Sequence, residues 1–65
     1  MTNGVVLAYS SDVQAGVISD REGRRHYFRG REWRSAAVTP QAGMNVIFKK
    51  TMQGACDVQA ESALP

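Results

Sequence analysis

Apolar residues in this chain alternate with polar ones in runs of five to seven positions, and turn-forming residues separate the runs. Alternation with period two sends successive side chains to opposite faces of an extended backbone, which constrains the chain to short strands rather than helices. The first run, Gly4 to Ser10, ends in Ser10-Ser11-Asp12, and the second, Ala15 to Ser19, ends in Asp20-Arg21-Glu22-Gly23. A third run, Arg24 to Phe28, follows at once, so the three read as an antiparallel meander. Gly30 to Ala37 breaks the alternation and has room for one helical turn around Trp33. Thr39 to Gly43 is a loop, because Pro40 biases its predecessor away from helix and Gly43 supplies a turn. Asn45 to Lys49 is a fourth strand, Thr51 to Gly54 a turn, and Ala55 to Gln59 a fifth strand.

A chain of 65 residues has room for one thin core, burying roughly 60% of the surface its unfolded form exposes. Five short strands use that core best when the sheet curls on itself and removes its own edges. The expected fold is therefore all-β: a five-stranded antiparallel barrel of the oligonucleotide/oligosaccharide-binding (OB-fold) type with one short helical turn. The domain spans 1–60, and 61–65 form a frayed tail. Its inward residues are Val6, Ile18, Phe28, Trp33, Val46, Phe48 and Val58, with Trp33 plugging one end of the barrel.

Charge is distributed unevenly. Between positions 21 and 34 six arginines face two glutamates, a local charge of +4, whereas the last fifteen residues carry −2. A one-sided basic stretch is the electrostatic footprint of a polyanion binder. Enzymatic chemistry has little to build on. The acids Asp12, Asp20, Glu22, Glu32, Asp57 and Glu61 lie mostly in turns, with no second carboxylate in an apolar setting to shift them. The glycines match neither phosphate-loop nor dinucleotide-fingerprint spacing. One cysteine, Cys56, and one histidine, His26, make neither a disulfide nor a four-ligand zinc site. Cys56 reads as a small half-buried hydrophobe and His26 as a partly buried structural imidazole. No cofactor, metal or small-molecule substrate is expected. The N-terminus lacks a basic start followed by an apolar stretch, and no run is long enough to span a bilayer, so the expected compartment is the cytoplasm and no membrane contact is expected from the chain itself.

The order Gly4-x-Val6, Gly16-x-Ile18, Gly23, Trp33, Gly43-x-x-Val46-x-Phe48 and Ala55-x-x-Val58 resembles the bacterial cold-shock domain, from about Gly4 to Ala60 and without a gap through Trp33. The resemblance implies the same barrel, with single-stranded RNA or DNA bound on the outward face of the first three strands. In that family the face carries aromatic rings, and much of it is rewritten here. Leu7 and Ala8 stand where the family has lysine and tryptophan, and Tyr9 replaces the phenylalanine that follows. The second-strand motif Gly-Phe-Gly-Phe-Ile reads Gln14-Ala15-Gly16-Val17-Ile18. The third-strand motif Val-Phe-Val-His-Phe reads His26-Tyr27-Phe28-Arg29-Gly30, so an outward ring survives as Tyr27 and Arg29 takes the place of the histidine. Each base stacked on a ring contributes about 1–3 kcal/mol, so the lost rings cost several orders of magnitude in affinity, and arginine planes restore part of it.

The expected function is weak, salt-sensitive binding of single-stranded RNA or DNA. Tyr9 and Tyr27 stack on bases beside Val17, Arg25, Arg29 and Arg31 hold phosphates, and Lys49 extends the basic rim. The rival expectation comes from the aliphatic replacements. Leu7, Val17 and Ile47 share the outward parity and would form the centre of a protein-interaction or homodimer surface near Tyr27, rimmed by arginines. Modules of this framework also occur joined to membrane-spanning segments in larger bacterial proteins, and the chain could be one cut from such a parent.

Overall fold

The computed structural model describes residues 1–61. The described residues form five strands and one 3-10 turn: β1 (Thr2–Ser10), β2 (Ala15–Asp20), β3 (Arg25–Arg29), the 3-10 turn (Gly30–Glu32), β4 (Asn45–Thr51) and β5 (Gly54–Ala60). All neighbours are antiparallel, and the five make one sheet in the order β3-β2-β1-β4-β5. The expected all-β architecture with a single helical turn is present. The sheet curls until its edges β3 and β5 meet, but no ladder joins them. A Cβ at Gly54 would overlap the Tyr27 carbonyl, which shows how closely the edges approach. Beyond β3 the chain crosses to β5 through a parallel bridge between Trp33 and Val58. No described helix is long and apolar enough to cross a membrane.

The strands differ from expectation at their ends. β1 begins at Thr2 because Thr2 to Val5 pair with Phe48 to Asn45 of β4. β3 begins one residue late because the Arg24 N–H turns back to Asp20 Oδ1, at 3.0 Å. β5 runs on through Ala60, fully buried opposite Val46. Apart from Glu61, the tail expected at 61–65 lies outside the described residues.

Val6, Ile18, Phe28, Val46, Phe48 and Val58 are the buried core, as the alternation predicts, joined by Ala55 and Ala60. Full burial of a side chain of this size contributes about 1.5–3 kcal/mol. Trp33 is half-buried and packs against this cluster. Its indole N–H is shared between the carbonyls of Ser35 (2.9 Å) and Val38 (2.8 Å), so the ring closes the barrel end with its polar atom satisfied.

Two bulges break the period. Val6 faces Ile18 but Ala8 faces Val17, so Leu7 is an extra residue in β1. Ile47 faces Gln59 but Lys49 faces Cys56, which inserts one residue into β5 near Asp57, whose φ is 49°. Each bulge turns every later side chain of its strand to the other face.

Candidate nucleic-acid interface

The register of β1, β2 and β3 arranges the site in rows. Arg29 faces Ala15, Tyr27 faces Val17, and Arg25 faces Ser19; beyond them Ser10 faces Ala15, Ala8 faces Val17 and Val5 faces Ser19. These rows point outward. Tyr27 is 68% exposed, and Arg25 and Arg29 flank it on the same side of the strand, both exposed. The rows between them point inward and hold Phe28, Gly16 and Tyr9, then His26, Ile18 and Val6.

Tyr9 therefore does not share the outer face with Tyr27. Simple alternation along β1 would turn it out beside Leu7, but the bulge at Leu7 reverses the phase of Ala8, Tyr9 and Ser10. The Tyr9 ring is half-buried and stacks on Phe28, with centroids 5.8 Å apart and planes 16° from parallel. Phe28 stacks in turn on Trp33 at 6.2 Å. Gly16 makes this possible, because a Cβ there would sit 2.7 Å from the Phe28 ring. The aromatic row seals one end of the barrel instead of offering a base platform.

Val17 lies where expected, between Ala8 and Tyr27, and is half-buried. Leu7 is 41% exposed on the neighbouring strand. Ile47 does not join them. It pairs with Asn3, near the opposite end of β1 from Leu7, so the expected three-residue aliphatic centre is not contiguous.

Arg31, exposed in the 3-10 turn, extends the basic edge past the end of β3. A groove of about 530 Å³ opens there, lined by Tyr27, Arg29 and Arg31 on one side, Gln14 of the β1–β2 turn, and Gln53 and Cys56 of the β4–β5 hairpin. It occupies the gap left between β3 and β5. Among the described residues, Arg25, Arg29 and Arg31 have no carboxylate within ion-pair distance.

Lys49 and Arg34 differ from these three. Arg34 Nε donates to Asp57 Oδ1 at 3.1 Å and its Nη1 donates to the Arg31 carbonyl at 2.6 Å. Glu32 Oε1 accepts from the Asp57 N–H at 3.3 Å and lies 3.5 Å from Arg34. Lys49 Nζ is 3.9 Å from the other Asp57 oxygen. This network fastens the 3-10 turn to β5 and supports the position of Arg31. The two bonds that reach Asp57 from Arg34 and Glu32 join residues 23 and 25 apart, a separation with no local signature in sequence.

A second polar cluster sets the other end of β3. Asp20 is 7% exposed. Its Oδ1 accepts from the N–H groups of Glu22 (2.9 Å) and Arg24 (3.0 Å), and its Oδ2 accepts from His26 Nε2 at 2.8 Å. The His26 hydrogen bond holds the Asp20 carboxyl down to about 2 from the ordinary 3.8, with the two backbone N–H groups adding to it and burial opposing. Gly23, at φ 81°, closes the same turn. Asp at the first and Gly at the fourth position of Asp20-Arg21-Glu22-Gly23 is a turn signature that could have revealed the capping role. His26 is the partly buried structural imidazole expected, its ring 5.2 Å from that of Phe48.

No family model matches the chain, and no curated protein matches its sequence. Fold and surface alone define its class: a small all-β domain bearing an exposed arginine–tyrosine–arginine strand beside an open groove.

Proposed function

We propose that the chain is a cold-shock-like module that binds single-stranded RNA or DNA weakly, through phosphates first and one stacked base second. The observation that carries this reading is the outward side of β3, where an exposed Tyr27 stands between Arg25 and Arg29. Exposed arginines without carboxylate partners attract phosphates, and a bare tyrosine ring offers a stacking surface of about 1–3 kcal/mol. The groove beside this strand, between the β1–β2 and β4–β5 turns, supports it further, because five-stranded barrels of the OB type take oligonucleotides there. Val17 packs beside the ring as an apolar neighbour. Tyr9 contributes to the barrel end and not to stacking.

Titration of a labelled single-stranded oligonucleotide at two salt concentrations tests the reading. Binding is expected at low salt and to weaken steeply as salt rises, and Tyr27→Ala with Arg29→Ala together should abolish it. Absence of binding at low salt, or indifference to the double substitution, rejects the function. A second reading, self-association or a protein partner, rests on Leu7 and Val17 lying exposed and half-exposed beside Tyr27. A dimer by light scattering that Val17→Asp dissociates, in a protein that binds no oligonucleotide, would replace the first reading with this one.

A further inference from the structure

On the outer face of β1, β2 and β3 the cations follow one strand. β1 carries no charged residue from Thr2 to Ser10, and the only charged residue of β2, Asp20, is buried at its end. The outward residues of these two strands, Val5, Leu7, Ala8 and Ser10 on one and Ala15, Val17 and Ser19 on the other, include no cation to pair with a phosphate. Arg25 and Arg29 stand on β3, and Arg31 follows in the 3-10 turn. A single strand crossing the sheet from β3 to β1 would carry its phosphates over uncharged side chains, mostly aliphatic. One lying along β3 meets a guanidinium, a ring and a guanidinium at alternate residues, then a third guanidinium at the groove.

Resting on the nucleic-acid reading above, we infer that the ligand runs parallel to β3, from Arg25 over Tyr27 and Arg29 to Arg31, and enters the groove facing Gln53. The side chains on one face of a strand repeat about every 6.6 Å, a pitch comparable to the phosphate repeat of an extended single strand. From Arg25 through Arg31 the track is roughly 17 Å long, from strand and 3-10 rises. That gives a site of about four nucleotides, at the low end for one barrel of this type. Three phosphate contacts and one stacked base make the site tolerant of sequence, because charge carries no base information and every base has a face to stack.

The experiment is a length series of oligothymidylates, from two to ten nucleotides, titrated at several salt concentrations. Affinity is expected to rise to about four nucleotides and then level off. The slope of log affinity against log salt should be about −2, from roughly −0.7 for each of three phosphates. Arg25→Ala and Arg31→Ala, both at exposed positions, should each shallow the slope by about 0.7 and lose roughly 10-fold at low salt, with unchanged melting temperature. Ser10→Ala and Ser19→Ala, on the outer face of β1 and β2, should change nothing. No binding at any length removes the nucleic-acid reading itself. Binding that keeps strengthening beyond about eight nucleotides, or slopes unmoved by both arginine substitutions, overturns the path along β3 and leaves that reading in place. Inorganic polyphosphate binding as tightly as oligothymidylate, with Tyr27→Ala without effect on either, overturns the stacked base.

Discussion

β3 turns His26 and Phe28 into the barrel and Arg25, Tyr27 and Arg29 out of it, and the two sets are held very differently. Each inward side chain is fixed by several partners. Phe28 lies between the rings of Tyr9 and Trp33 and over the bare backbone of Gly16, and His26 is bonded to Asp20 and packed near Phe48. The outward three have no ion-pair or side-chain hydrogen-bond partner among the described residues. Five consecutive residues thus separate what the fold needs from what a ligand would read.

The largest expected effect tests the inward side. Phe28→Ala should lose about 3–5 kcal/mol, close to the whole stability of a small domain, whereas Tyr27→Ala should stay within about 0.5 kcal/mol. Thermal melts of both variants check this, and equal losses would break the contrast. A smaller effect comes from acid. Asp20 has its carboxyl lowered to about 2 from 3.8, so the folded state binds that proton less readily than the unfolded chain. Its contribution is complete above about pH 5 and is lost as pH falls through 4 toward 2. Melting temperature should therefore drop across that window in the native protein, and drop less in Asp20→Asn, whose amide cannot titrate. The smallest effect sharpens the outer side. Lys49→Ala should weaken oligonucleotide binding less than about twofold, because Asp57 already partners its ammonium, while Arg29→Ala should cost roughly 10-fold. A loss at Lys49 as large as at Arg29 would extend the basic track across the groove.

Element types and most of the core were legible in sequence because they depend on local alternation and turn chemistry. Six of the seven expected core side chains are fully or almost fully buried, and the seventh, Trp33, caps the end as expected. On the outer face, Arg25, Tyr27 and Arg29 were legible for the same reason: β3 has no bulge, so counting by twos from Phe28 places them correctly. Tyr9 was misplaced because a bulge lies between it and Val6, and nothing about Leu7 as a residue type announces one. Ile47 had the correct parity, but parity says nothing about distance along or across the sheet. The Arg34–Asp57–Glu32 network and the capping bonds of Asp20 depend on where the chain returns in space. Only the second left a local trace, in the Asp-x-x-Gly turn.

The extra residue at Leu7 gives β1 something like a reading frame. Upstream of it, Val6 and Gly4 face in; downstream, the frame shifts by one and Tyr9 faces in while Ala8 and Ser10 face out. Were the bulge flattened, with Leu7 taken into the ladder opposite Val17, Tyr9 would move to the solvent side opposite Ala15, in the row that holds Arg29 and next to that of Tyr27, and Phe28 would lose the ring it stacks on. The protein would gain a second stacking surface by the same event that unseals its end. One tyrosine thus serves as wall or as platform according to the phase of the strand that carries it.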